Sequence, residues 1–329
     1  MKNHRKTLVL LILFFAAPQL FAQSQPVDLQ SKVSVPFRFV AYGDTRFTDP
    51  SNTEASNPPV RRALVQAIDA AHPAFVSIGG DIAYNGHDLN DWKTWDSETS
   101  AWRQHNITVY PALGNHDLHG DQKIALSNYF QRFPDLHESR YYSVRAANTL
   151  ILVLDSSLDE LSGPQGDWLA SKLDHLPADV DFVFLVMHHP PYTSSSDSKK
   201  YGGGHSARPT EQALAKMLEA RQQRTTARFV VIAGHVHNYE RHEHGGVTYF
   251  VTGGGGAHAY PIERAADDLY PDNRINYHYL LAEVDRGKLK ITMNRLELTD
   301  GKATWTQPDS VTITVPALAP AKAAVAGHP

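Results

Sequence analysis

The chain has 329 residues, 42% of them hydrophobic and 20% charged, with a formal net charge of −4, 18 histidines and no cysteine. This is the balance of an ordinary globular protein, and it excludes a nucleic-acid partner held by bulk positive charge. Without cysteine there is no disulfide, thiolate metal site or thiol nucleophile, so any metal must be held by His, Asp, Glu, Asn, Tyr or backbone oxygen, which suits hard or borderline cations.

Taken in chain order, the first stretch is "MKNHRKTLVLLILFFAAPQLFAQ". Lys2, Arg5 and Lys6 precede an apolar run from Leu8 to Ala17, and Ala22 offers a cleavage position. The pattern predicts a signal peptide over 1–22 and a secreted or periplasmic protein. An uncleaved anchor is the alternative, but the run is short for a spanning helix. No later segment is long and apolar enough to span, so no stable membrane anchor is expected. Residues 23–35 read as a polar linker, 36–315 as one catalytic domain, and the Ala/Pro-rich 316–329 as a disordered tail.

Within the domain, short apolar runs alternate with helical patterns, which predicts an α/β fold. The runs are "FRFVAYGD", "AFVSIGGD", "TVYPALGNHD", "NTLILVLDSS", "DFVFLVMHHP", "RFVVIAGHVH" and "VTYFVTGGGG". Several are apolar on both faces, as in strands covered by a layer on either side. Trp92, Trp95 and Trp102 have helical spacing and read as core. "SSSDSKKYGGGHS" reads as a mobile loop. "YHYLLAEVDRGKLKITMNRLELTDGKATWTQ" reads as antiparallel strands turning at "DRGK" and "TDGK".

Six of the seven runs end in a polar residue or cluster, and five of those ends carry Asp, Asn or His. They supply Asp44; Asp81 with Tyr84; Asn115, His116 and Asp117; His188 and His189; and His235 with His237. One Asp after a strand is a routine cap. Five such ends, at the carboxyl edges where α/β sheets bind ligands, form an inventory of oxygen and nitrogen donors for two metal ions. The glycines before Asp44, Asp81, Asn115 and His235 are expected to let the backbone turn sharply and approach the metals.

This ordered set resembles the calcineurin-like metallophosphoesterase superfamily, whose pattern is GD…GDxx…GNH[DE]…H…GHxH. "GDIAY" and "GHVHNYER" make it most similar to the purple acid phosphatases, over roughly residues 36–300. The resemblance implies a four-layer α/β/β/α sandwich with mixed sheets. It implies an exported, metal-dependent phosphoric ester hydrolase, acid phosphatase-like, acting on small phosphate monoesters by metal-bridged hydroxide attack. It also implies two metal ions, iron with zinc, manganese or a second iron. Asp44, Asp81, Tyr84 and His237 would hold one ion. Asp81 would bridge to the second, completed by Asn115, His188 and His235. His188 is preferred over His189 because the family's ligand stands two residues before the first proline, although their roles are exchangeable. His116 would bind phosphate or act as general acid, with Asp117 orienting it, and His205 is a weaker substrate-facing candidate. Arg46 stands where most of the superfamily has a ligating histidine; it is either a salt-bridge partner or a clamp on a phosphoryl oxygen. The alternatives are a phosphodiesterase on nucleotides or lipid head groups, and a non-catalytic partner-binding protein that keeps the fold. Physiological substrate and oligomeric state are not encoded in these patterns.

Overall fold

A computed structural model describes residues 25–158, 161, 163–196 and 205–316. The expected signal peptide, all but the first residue of the expected tail, and the centre of the expected mobile loop lie outside the described residues.

The chain opens with β1 (Asp28–Ser31), β2 (Phe37–Tyr42), α1 (Pro58–Ala70) and β3 (Phe75–Ile78). It continues through α2 (Leu89–Glu98), α3 (Ser100–Gln104), β4 (Thr108–Pro111) and α4 (Gln122–Arg132). Then come β5 (Tyr142–Ala146), β6 (Thr149–Val153), α5 (Gly163–Asp174), β7 (Phe182–Met187), α6 (Pro209–Gln222) and β8 (Arg228–Ala233). The last strands are β9 (Tyr239–His244), β10 (Val247–Thr252), β11 (Tyr277–Asp285), β12 (Lys288–Thr299), β13 (Lys302–Thr306) and β14 (Ser310–Thr314). Among the described residues these strands form two sheets. One runs β1-β5-β6-β7-β8-β10-β9; the other runs β13-β12-β11-β2-β3-β4, with β14 also on β12. Both are mixed: β6, β7, β8 and β10 are parallel neighbours in the first and β2, β3 and β4 in the second, with antiparallel strands at their sides.

Period-two alternation sorts the side chains into layers. In β7, Phe182, Phe184 and Val186 join the core between the sheets, while Val183, Leu185 and Met187 join a second cluster. That second cluster contains Leu169 and Leu173 of α5 and Leu214 and Leu218 of α6. Phe39 of β2 meets Phe184 edge-on at 5.0 Å, locking sheet to sheet. The next side of β2 turns outward, and Tyr42 there meets Trp102. Trp102 also donates its indole N–H to the Val65 carbonyl of α1, and it packs edge-on against Trp95. Helix, sheet, sheet and helix therefore stack as four layers, and Trp92, Trp95 and Trp102 are core as expected.

The turns at "DRGK" and "TDGK" join β11 to β12 and β12 to β13. Asp28–Ser31 lies in the stretch read as linker, yet it pairs in parallel with β5, where Ser143 donates to Asp28 at 2.6 Å.

Candidate metal centre

The parallel strands of both sheets deliver their carboxyl ends to one seam. Asp44 follows β2, Asp81 follows β3, Asn115 and His116 follow β4, His188 follows β7, and His235 and His237 follow β8. Backbone contacts stitch the seam. His235 N–H donates to Asp44 Oδ2 at 2.8 Å, Gly234 N–H donates to the His188 carbonyl at 3.0 Å, and Gly79 N–H donates to the Tyr42 carbonyl at 2.9 Å. Left-handed backbone falls on Asp44 (φ 57°), Asp81 (φ 55°) and His235 (φ 71°), and also on Gly80 (φ 88°) before Asp81. The other glycines serve the close approach, because they leave room that a side chain would fill. A Cβ on Gly234 would lie 2.5 Å from Asp44 Oδ2 and 2.7 Å from the Gly79 carbonyl. One on Gly114 would lie 2.3 Å from Asp81 Oδ1. Non-glycine residues held at positive φ cost on the order of 1–3 kcal/mol each and collect at functional sites.

Four nitrogen and oxygen atoms of the kind that ligate cations converge at one end of the seam. His188 Nδ1 lies 2.9 Å from the Gly79 carbonyl and so carries the ring proton. Its Nε2 lies 2.9 Å from Asn115 Oδ1, 3.4 Å from Asp81 Oδ1 and 3.2 Å from His235 Nδ1. Beside it the pattern repeats. His237 donates from Nδ1 to the His258 carbonyl at 2.8 Å, and its Nε2 faces Asp44 Oδ1 at 3.5 Å. Both of those facing atoms are buried and have no hydrogen-bond partner. Acceptors that face one another across a buried space repel unless a cation lies between them. Asp44, Asp81 and His237 form one group able to hold an ion, and His188 and His235 belong to a second that includes His189.

The remaining predicted residues fall in distinct places. Asp81 Oδ1 also accepts from His116 N–H at 2.9 Å. His116 Nδ1 is tied to the Tyr84 carbonyl at 2.7 Å, and its ring lies against that of Tyr84 at 5.3 Å. No hydrogen bond joins the Tyr84 hydroxyl to Asp44, Asp81 or His237. Asp117 does not orient the His116 ring: its carboxylate accepts from the N–H groups of Ile82, Ala83 and Gly114. A buried carboxylate needs donors, and these three clamp the β3 and β4 loops together instead. Arg46 reaches Asp81 Oδ2 through Nε at 3.4 Å and Nη2 at 3.3 Å, so its salt bridge is to the expected bridging ligand. His189 engages the Ser156 hydroxyl through Nδ1 at 2.9 Å. His205 Nδ1 lies 3.2 Å from His235 Nε2.

Three residues escaped sequence reading. His119 packs its ring 4.1 Å from His116. His258 fixes His237 through its carbonyl. The ring of Tyr260 lies over His205 and His237, and its hydroxyl accepts from His237 N–H. The glycine run at 253–256 was the available signal for the last two, since it brings the chain back over the site.

Burial dominates the electrostatics. It pushes the imidazoles of His116, His205 and His237 down to about 4 and that of His189 to about 2. Burial, with His188 beside it, pushes His235 down as well. Neutral imidazole is the form that binds metal. Burial raises the Asp44 carboxyl to about 7, opposed by His188. Burial also works against Asp81, but His188, His116 and Arg46 outweigh it and hold that carboxyl well below the usual range.

A family model described as calcineurin-like phosphoesterase matches residues 37–239. The chain is 26% identical over 225 residues to purple acid phosphatase 1 of Ipomoea batatas, covering 64% of this chain and 44% of that protein. It is 27% identical over 231 residues to Fe(3+)-Zn(2+) purple acid phosphatase 12 of Arabidopsis thaliana, covering 65% of this chain and 45% of that protein. The matches thus span less than half the length of these relatives. Among solved structures, a purple acid phosphatase from yellow lupin (Lupinus luteus) seeds superposes with a TM-score of 0.63 at 17% identity, over 85% of this chain and 54% of that one, a likeness of fold.

Proposed function

The chain belongs to the calcineurin-like phosphoesterase family, and from that premise we propose that it is an exported hydrolase of phosphate monoesters, working with two metal ions at the seam. The observation that carries this reading is the convergence of buried ligand atoms, above all His237 Nε2 and Asp44 Oδ1, which face each other with no hydrogen-bond partner. Asp44, Asp81, Tyr84 and His237 would hold one ion; Asp81, Asn115, His188 and His235 would hold the other. Iron paired with zinc, manganese or a second iron suits a set of carboxylate, phenol, amide and imidazole donors. Two such cations neutralise an anionic ester and lower the pKa of water enough for hydrolysis.

The chain's own residues would do the rest. His116, oriented by the Tyr84 carbonyl, keeps Nε2 free to exchange a proton with the leaving oxygen. Arg46 and His205 line the same seam and would bind phosphoryl oxygens, the guanidinium in bidentate fashion. The absence of a thiol nucleophile fits a reaction with no covalent phosphoenzyme.

The test sets an aryl phosphate beside a phosphodiester analogue, on protein whose metal content is measured by elemental analysis. The monoester should be cleaved faster. Asn115→Ala should lose metal and turnover together, whereas His116→Ala should keep its metal and lose roughly 10²–10⁴-fold in rate. Metal-loaded protein that cleaves neither ester would overturn the reading in favour of a partner-binding role. Faster diester cleavage would assign it to phosphodiesterases.

A further inference from the structure

A second cluster of histidines and carboxylates lies on β9, apart from the seam. His242 and His244 are two residues apart on one strand, so both side chains project from the same face. Asp267, from the loop after β10, reaches between them. Its Oδ2 lies 3.5 Å from His242 Nδ1 and 3.0 Å from His244 Nε2. With metal–nitrogen and metal–oxygen bonds of about 2.0–2.1 Å, neighbouring ligands of a tetrahedral zinc stand about 3.3 Å apart. Asp267 Oδ2 stands at about that spacing from each imidazole, and the three donors lie within 4.8 Å of one another.

Two further observations point to an ion. The first is that His242 is buried and its Nδ1 has no hydrogen-bond partner. The second is how that nitrogen is aimed. His242 Nε2 lies 3.2 Å from Glu240 Oε2, a fully buried carboxylate. Glu240 is itself held by the Thr193 hydroxyl at 2.6 Å and the Ser194 N–H. A carboxylate that takes one ring proton of an imidazole leaves the other nitrogen as a lone pair, the arrangement that orients metal-binding histidines. The neighbouring combination of Glu240, His242 and Asp268 is different. Asp268 already accepts from Arg264, Ser194, Arg241 and Tyr270, so a cation occupies that carboxylate.

We propose that His242 Nδ1, His244 Nε2 and Asp267 Oδ2 form a third metal site, for a borderline divalent cation such as zinc, with Glu240 as the carboxylate behind His242. Two imidazoles and one carboxylate match that class of ion. The His244 and Asp267 side chains are 28% and 46% exposed, so the fourth position opens to water. Tyr192 covers one side, its ring stacked on His244 at 4.0 Å.

The experiment equilibrates the full chain with micromolar zinc, removes free metal by gel filtration and counts zinc per chain by elemental analysis. Wild type should retain one equivalent more than His244→Ala, and Asp267→Asn should show the same loss. Both positions are partly exposed, so the fold should survive, which circular dichroism checks. The same difference of one equivalent should appear in an Asn115→Ala background, which separates this site from the seam, and ester hydrolysis should be unchanged in both variants. Cobalt substitution should add a tetrahedral d–d absorption that His244→Ala lacks. Equal zinc content in wild type and His244→Ala would overturn the proposal and leave His242 as an imidazolium shared by Glu240 and Asp267. An extra equivalent held only at millimolar zinc would overturn it as well.

Discussion

Arg46 is the residue whose two expected roles the structure brings to one oxygen. It occupies the left-handed region at φ 42° and places its guanidinium on Asp81 Oδ2, an oxygen the metal pair would need. A fixed positive charge there competes with metal and, once displaced, is positioned for phosphate. Arg46→Gln should therefore hold metal more tightly, by roughly tenfold, about what one charge-assisted hydrogen bond is worth. It should also raise KM for the aryl phosphate. Metal titration and steady-state kinetics on the same preparation check both. Unchanged metal affinity with unchanged KM would reduce Arg46 to a packing role. The residues that converge at the seam were legible in the sequence, because each sits in a short motif at a strand end. The partners of Arg46 and Asp117 were not. They are set by contacts across 35 and 34 residues, between Arg46 and Asp81 and between Ala83 and Asp117, which no local pattern encodes.

At the scale of elements, the site exists because strand ends from two sheets approach within contact distance. At Gly234 that approach leaves no room for a side chain, with Asp44 Oδ2 and the Gly79 carbonyl in the space of a missing Cβ. Backbone cannot retreat as a flexible side chain can. Gly234→Ala should cost about 1–3 kcal/mol through overpacking. It should also lower metal content, because the displaced group is Asp44. Thermal unfolding of chelator-treated protein reads the first effect and elemental analysis the second; a stable variant with full metal content would show that the seam can widen. The strands that build this seam were readable as apolar runs. β1, β5, β9 and β14 were not, and for β9 and β14 the reason is physical. β9 reads "YERHEH" and is mostly charged, since its burial comes from ion pairs and hydrogen bonds, not from apolar surface. β14 alternates between exposed and half-buried positions at a sheet edge. Hydrophobic periodicity cannot find strands that bury so little apolar surface.

At the scale of the whole molecule, the two sheets are joined below the site by a buried imidazole. His278 on β11 carries its proton on Nδ1 toward the Asn276 carbonyl at 3.0 Å, and its Nε2 meets the Thr252 hydroxyl of β10 at 2.9 Å. It is fully buried, and burial pushes its pKa from 6.5 down to about 4. The sign of the effect follows. Between pH 6.5 and 4 the unfolded chain binds a proton at this position and the folded chain does not, so acid favours unfolding. The stabilisation is complete above pH 6.5 and is lost as pH falls toward 4, by up to about 3 kcal/mol for this one group. His278→Gln removes the titration while keeping a donor and an acceptor. The variant should be less stable than wild type at pH 7.5 but should lose less stability on acidification. The two unfolding free energies, measured in denaturant on metal-free protein, should converge by pH 4. Parallel curves from pH 7.5 to 4 would show that His278 titrates alike in both states, and that the joint between the sheets does not sense protons.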